Sequence, residues 1–413
     1  MRTKIFPSFF VYLFLWFGTV TVAAEPVSPL FKVATNKIAN NYVSFSPDSA
    51  LFAHTDAEGF LEIREISTGD IISRSPSPVN ITSPVAWDPS ERSLYIEGAM
   101  SDELLFWDGL RWQNQEIDDV RASSYAGGHS QLSVNGAYLA NTGMNGKLSL
   151  IDLKSFELVT LPKKQSRAHA ASWSPDGSFL AVGYDGLVVL YDANTFDIIN
   201  EFSPIHSPVY DNALISNMKW APSSQFLAIQ TLYGSAYIIE AGEKQSNVID
   251  LKYKEGFIHD LVWAAEQKTT WYQKLFPWKN DLAFLQVRKA QINESHDSDA
   301  EILVWYDADT SSEISEFDFL NHSTDYDAHL ITMPVSDQGV FLSVTSPSET
   351  KEISISHLVR ITKSGKEVRV ELPERAIAVS ISNDGRYIAI REMEARTPTI
   401  SLWRISDLER SGA

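Results

Sequence analysis

Short apolar runs alternate with polar turns along most of the chain, and one turn chemistry returns about every forty-odd residues. The clearest copy begins Ala171-Ser172-Trp173-Ser174-Pro175-Asp176-Gly177-Ser178-Phe179-Leu180-Ala181-Val182. It continues through Tyr184-Asp185-Gly186 into Leu187-Val188-Val189-Leu190-Tyr191-Asp192. Proline after Ser or Ala presets φ for a tight turn, and Asp or Asn followed by Gly closes it. The flanking runs are rich in β-branched and aromatic residues, and each unit therefore predicts three strands followed by a weaker fourth, such as Ile198-Ile199.

Aligned on this turn, the copies start at Ser46, Asp88, Ser133, Ser174, Ala221, Ala264, Ser336 and Ser382. The steps between them are 42, 45, 41, 47, 43, 72 and 46 residues, so one unit carries an insertion of about 28. Four short antiparallel strands make a sheet too small to bury both its faces, so the units must stack. The expectation is an all-β chain, an eight-bladed β-propeller of four-stranded antiparallel blades, with seven blades and one aberrant unit as the alternative. The last unit runs 376–381, 387–393 and 399–405 and has no fourth strand. The spare run Leu30-Phe31-Lys32-Val33-Ala34 predicts that an N-terminal strand closes the ring.

On these residues the chain resembles WD-repeat β-propellers over nearly its whole length. The dipeptide that names the family stands at Trp107-Asp108, with relatives at Tyr191-Asp192, Tyr306-Asp307, Ile151-Asp152 and Trp403-Arg404. The opening Gly-His is reduced to Ala168-His169 and Ile258-His259. The resemblance implies a rigid ring that presents loops to proteins. It also implies a His, Ser/Thr, Asp and Trp network within each blade, but no unit here contains the full set.

Composition narrows the setting. Arg2 and Lys4 precede an apolar stretch at 5–22, and Val22-Ala23-Ala24 offers small residues for cleavage, so 1–24 reads as a signal peptide. An uncleaved anchor is the alternative. Residues 25–413 then form a single propeller domain, exported and periplasmic, or else secreted or membrane-anchored. There is no cysteine, which excludes disulfides, thiol nucleophiles and thiolate metal sites. Net charge is −19, and −21 once Arg2 and Lys4 are removed (32 basic against 53 acidic residues), which argues against nucleic acid as a partner.

Candidate chemistry concentrates in the sixth unit. Residues 268–280 place Trp271, Tyr272, Phe276 and Trp278 among three lysines, a mixture suited to a protein-binding surface and less to membrane contact. Burial of the same aromatics as a cap on the ring is the competing reading. A second insertion at 292–300 holds Glu294, His296, Asp297 and Asp299 but lacks a calcium-loop pattern, so it reads as a solvated loop. No nucleophile elbow, phosphate-binding glycine loop or zinc-protease motif occurs, and no cofactor or metal is expected. The expectation is a non-catalytic scaffold that binds one or more proteins, part of an envelope assembly. The alternative is a periplasmic enzyme or ligand-binding propeller with its site in the axial channel.

Overall fold

The computed structural model describes residues 28–411 apart from 36–42, 80–84, 90–91, 98–102, 118–128, 143–145, 147, 163–166, 203–213, 232–234, 243–247, 252–255, 264–281, 290–299, 308–311, 319–326, 332–339, 348–353, 362–366, 374–375 and 393–397. The segment 1–24 that reads as a signal peptide, the aromatic insertion 268–280 and all of 292–300 but Ala300 lie outside the described residues.

Among the described residues the chain is all β apart from one short helix, and its strands form eight four-stranded antiparallel sheets. The first blade comprises Ser44–Phe45, Leu51–Thr55, Leu61–Glu65 and Ile71–Arg74. The fourth comprises Ala168–Trp173, Phe179–Tyr184, Leu187–Asp192 and Ile198–Phe202. First strands of successive sheets pack on one another from the second blade round to the eighth, whose first strand meets that of the first blade. Leu61 and Ile63 of the first blade share a core with Leu94 and Leu105 of the second. Burial of each such side chain contributes about 1.5–3 kcal/mol.

Each turn after a first strand works by the same local bonds. Ser174 Oγ donates to Asp176 Oδ1 at 2.6 Å and accepts the Phe179 amide at 2.9 Å. Ser46, Ser133 and Ser382 repeat this with Asp48, Asn135 and Asp384. The residue three past the turn's start is left-handed: Gly136 (φ 67°), Gly177 (φ 74°) and Gly385 (φ 68°), but Ser49 (φ 56°) and Ser224 (φ 63°) in the first and fifth blades.

The ring closes as the spare N-terminal run predicts. Phe31–Ala34 pairs antiparallel with Thr399–Arg404, Phe31 opposite Leu402 and Ala34 opposite Thr399. A chain of bonds, buried at its Trp403 end and open to solvent at Lys32, fastens it. Trp403 Nε1 donates to Ser401 Oγ (2.8 Å), Ser401 Oγ donates to Glu392 Oε1 (2.5 Å), and Lys32 Nζ holds Glu392 Oε2 (2.6 Å). A second clasp was not legible in the sequence: Ile405–Ser411 is a helix, not an end to the third strand. Its Ile405 and Leu408 are buried with Val370 and Leu372 of the seventh blade, and Arg360 pairs with Glu409 at 3.1 Å.

Candidate interaction rim

The turns that define the repeat gather on one rim of the ring. In the fourth blade Phe179 pairs with Asp192, so the turn after the first strand and the turn after the third lie at the same end of the sheet. The closure strand begins at that end too, because Phe31 lies opposite Leu402. So does the C-terminal helix, whose Ile405 amide donates to Arg386 O at 2.9 Å. In the sixth blade Trp263 pairs with Ala283 and Leu282 with Asp307, which brings both ends of 264–281 to this rim. Trp271, Tyr272, Phe276 and Trp278 belong to that segment and are themselves outside the described residues.

The described part of the rim is acidic and well ordered by its own bonds. Hydrogen bonds from the Arg111 and Leu110 amides hold the Asp108 carboxyl below its ordinary range, and the Thr195 and Asn194 amides do the same for Asp192. For Asp48, burial pushes upward, but bonds from Ser46, the Ala50 amide and Arg92 outweigh it and the group is lowered. Carboxylates saturated in this way stay ionised at neutral pH and present negative potential to solvent. Leu110 is 90 % exposed among them.

Bonds between blades make the rim rigid. Trp173 Nε1 donates to Gln131 O (3.2 Å), Trp220 Nε1 to Ser172 O (3.0 Å) and Trp263 Nε1 to Lys219 O (2.7 Å), each reaching back into the preceding blade. Trp87 occupies the matching place in the second blade, yet its buried Nε1 has no partner. The left-handed serines add to this. Ser224 Oγ accepts the Asp176 amide at 3.0 Å and Ser49 Oγ the Asp384 amide at 3.1 Å, so the strain of a non-glycine residue is offset by a bond across the seam.

The opposite rim carries a remnant of the hydrogen-bond network that the resemblance implies. His169 Nε2 donates to Asp185 Oδ1 at 2.6 Å. His169 is skipped in the pairing of Ala168 and Ala170, so a β-bulge turns the imidazole out of the ladder toward Asp185. His259 sits in the equivalent bulge of the sixth blade. In the eighth blade Trp403, Ser401 and Glu392 supply the tryptophan and serine of such a network, with a glutamate from the adjacent strand. Short pieces of the network thus survive although no unit holds all of it.

Residues 157–192 match the model of the family described as WD domain, G-beta repeat. The match begins in the outer strand of the third blade, Glu157–Leu158, and ends with the third strand of the fourth, so the sequence repeat is offset from the sheet by one strand. That offset is the one by which the N-terminal strand closes the ring. One unit of the β-propeller thus matches the repeat by sequence. Among solved structures it is similar to the β-propeller domain of Cps50 (Swd1) from Myceliophteria thermophila, at 14 % identity and a TM-score of 0.47, covering 76 % of this chain and 96 % of that one. No curated protein matches the sequence.

Proposed function

We propose that this protein is an exported, non-catalytic scaffold of an envelope assembly, and that the acidic rim is its partner-binding face. The topology of the sixth blade carries the reading: Trp263 and Leu282 tether the aromatic and lysine-rich segment 264–281 to the rim where the turns converge. A ring held by bonds between blades loses little conformational entropy on binding, and aromatic side chains supply most of the energy of protein interfaces. Trp271, Tyr272, Phe276 and Trp278 are the anchors, with the acidic turns beside them selecting a partner that bears complementary positive charge. The N-terminal segment directs export and is removed after Ala24.

Replacing the four aromatics together with serine tests the assignment. Loss of a co-purifying protein with an unchanged melting temperature supports it. A large fall in melting temperature identifies the four as a cap on the core and removes them from the partner surface.

A further inference from the structure

The outer strand of the first blade, Ile71–Arg74, is the last strand of its sheet and forms an edge. Ile71 is 50 % exposed and Ile72 49 %, and no other two consecutive large apolar side chains among the described residues are as open. The pairing of this strand with Leu61–Glu65 shifts register between Ile63 and Arg64, so Ile72 is skipped and bulges from the ladder. Ile199 is skipped in the same way in the fourth blade, but it packs against a core. Sheet edges are commonly blunted by charge or proline. Here the prolines, Pro76 and Pro78, come after the strand, and the charges stand only at its two ends.

Those ends are opposite in sign, and each is incomplete. Asp70 is exposed, and its carboxylate makes no bond among the described residues. Arg74 is pinned: Nε and Nη2 donate to Asp56 Oδ2 at 2.9 and 2.5 Å, and Nη2 also to Glu58 Oε2 at 2.6 Å. Its guanidinium lies 4.0 Å over the Phe60 ring. These contacts fix the side chain and leave Nη1 unused among the described residues. Four residues of strand span about 13 Å, so Asp70 cannot reach the Arg74 of its own chain. A second chain laid antiparallel across the edge brings its Asp70 to Arg74 and its Arg74 to Asp70, with Ile72 against Ile72. The run Asp70-Ile71-Ile72-Ser73-Arg74 is thus complementary to its own antiparallel copy.

We propose that this edge is the contact between two copies of the chain, set antiparallel and related by a two-fold axis at Ile72. A two-fold contact uses one patch twice, so every apolar and charged feature of the edge finds its counterpart on the other copy. Two chains of net charge −19 repel at long range, but physiological salt screens that field within about 8 Å, and the local pairs decide at contact. Two such short segments cover less than a standard interface of about 1,600 Å², so the dimer is a weak one that dissociates in the micromolar range. The antiparallel setting turns the two acidic rims in opposite directions and keeps both open to partners.

Sedimentation of the purified chain over a range of concentrations is expected to show a monomer–dimer equilibrium, which Ile72→Asp abolishes at an unchanged melting temperature. A monomer at every concentration, which would leave the edge to another protein's strand, overturns the proposal, as does a dimer that I72D leaves intact. The chain has no cysteine, so single cysteine substitutions test the geometry independently. Ile72→Cys, on the axis, is expected to form an interchain disulfide under mild oxidation. Ile198→Cys, also exposed on an outer strand but in the fourth blade, is expected to stay monomeric. Equal cross-linking of the two variants, or none in either, refutes the contact.

Discussion

A Cβ atom on Gly69 would lie 2.9 Å from Cδ1 of Phe31, and this close approach is how the first blade receives the closure strand. Gly69 is left-handed (φ 78°), and its amide donates to Glu65 O at 2.8 Å. In the third and fourth blades the same position holds Phe156 (φ 56°) and Phe196 (φ 59°). Those rings reach back into the preceding blade, Phe156 to Phe106 at 5.8 Å and Phe196 to Tyr138 at 5.0 Å. At the seam the direction reverses: the glycine leaves a slot, and the preceding blade fills it with Phe31.

Gly69→Ala is therefore expected to weaken the closed ring more than an ordinary turn substitution. The left-handed backbone costs about 1–2 kcal/mol for a residue with a Cβ, and crowding Phe31 adds about 1–3 kcal/mol. Thermal unfolding checks this, and Gly69→Ala combined with Phe31→Ala should recover part of the loss. A double variant no better than the sum of the singles would show that the two positions do not share a slot.

The indole bonds between blades make a paired prediction. Trp220→Phe leaves the Ser172 carbonyl without its donor and should lower stability by about 1–3 kcal/mol beyond the change in packing. Trp87→Phe removes an N–H that is buried without a partner, so its cost should be clearly smaller. Denaturant midpoints of the two variants give the comparison directly.

Ser49 separates backbone strain from hydrogen bonding. Ser49→Ala keeps the left-handed conformation and loses the bond to the Asp384 amide, whereas Ser49→Gly loses the bond but removes the strain, worth about 1–3 kcal/mol. The alanine variant is expected to melt below the glycine variant. The opposite order would mean that the left-handed backbone at position 49 carries no strain for a residue with a Cβ.

Acid should weaken the chain partly through Glu62. The bond to His54 leads in holding its carboxyl down, burial opposes it, and Arg64 assists, bringing it from 4.5 to about 2. The folded value lies below the unfolded one, so this stabilisation is complete above 4.5 and is lost as pH falls from there toward 2. Glu62→Gln should flatten that part of the stability–pH curve. A variant curve parallel to the wild type would contradict it.

The repeat was legible because its turns are local chemistry: Ser, Pro, Asp and Gly close the same four-residue bend wherever they occur together. Closure by the N-terminal strand was legible for a topological reason, since Leu30-Phe31-Lys32-Val33-Ala34 was spare and the last unit lacked a strand. The helix Ile405–Ser411 was not, because seven residues with apolar positions only at Ile405 and Leu408 give too short a period to read. The bulge that aims His169 at Asp185 joins residues 16 apart on neighbouring strands, and the indole bonds to preceding blades join residues more than forty apart, which no local pattern encodes. The rim was half legible. The aromatic insertion stood out by composition, while the pairing of Trp263 with Ala283 shows only that the strand ends flanking it lie at that rim.

Affinity purification of the tagged protein from its native cells, with intact-mass analysis of the recovered chain, tests the scaffold account most directly. The account predicts a chain lacking residues 1–24 that brings down another protein in stoichiometric amount. A cleaved chain recovered alone, or a full-length chain in the cytoplasm, would contradict it.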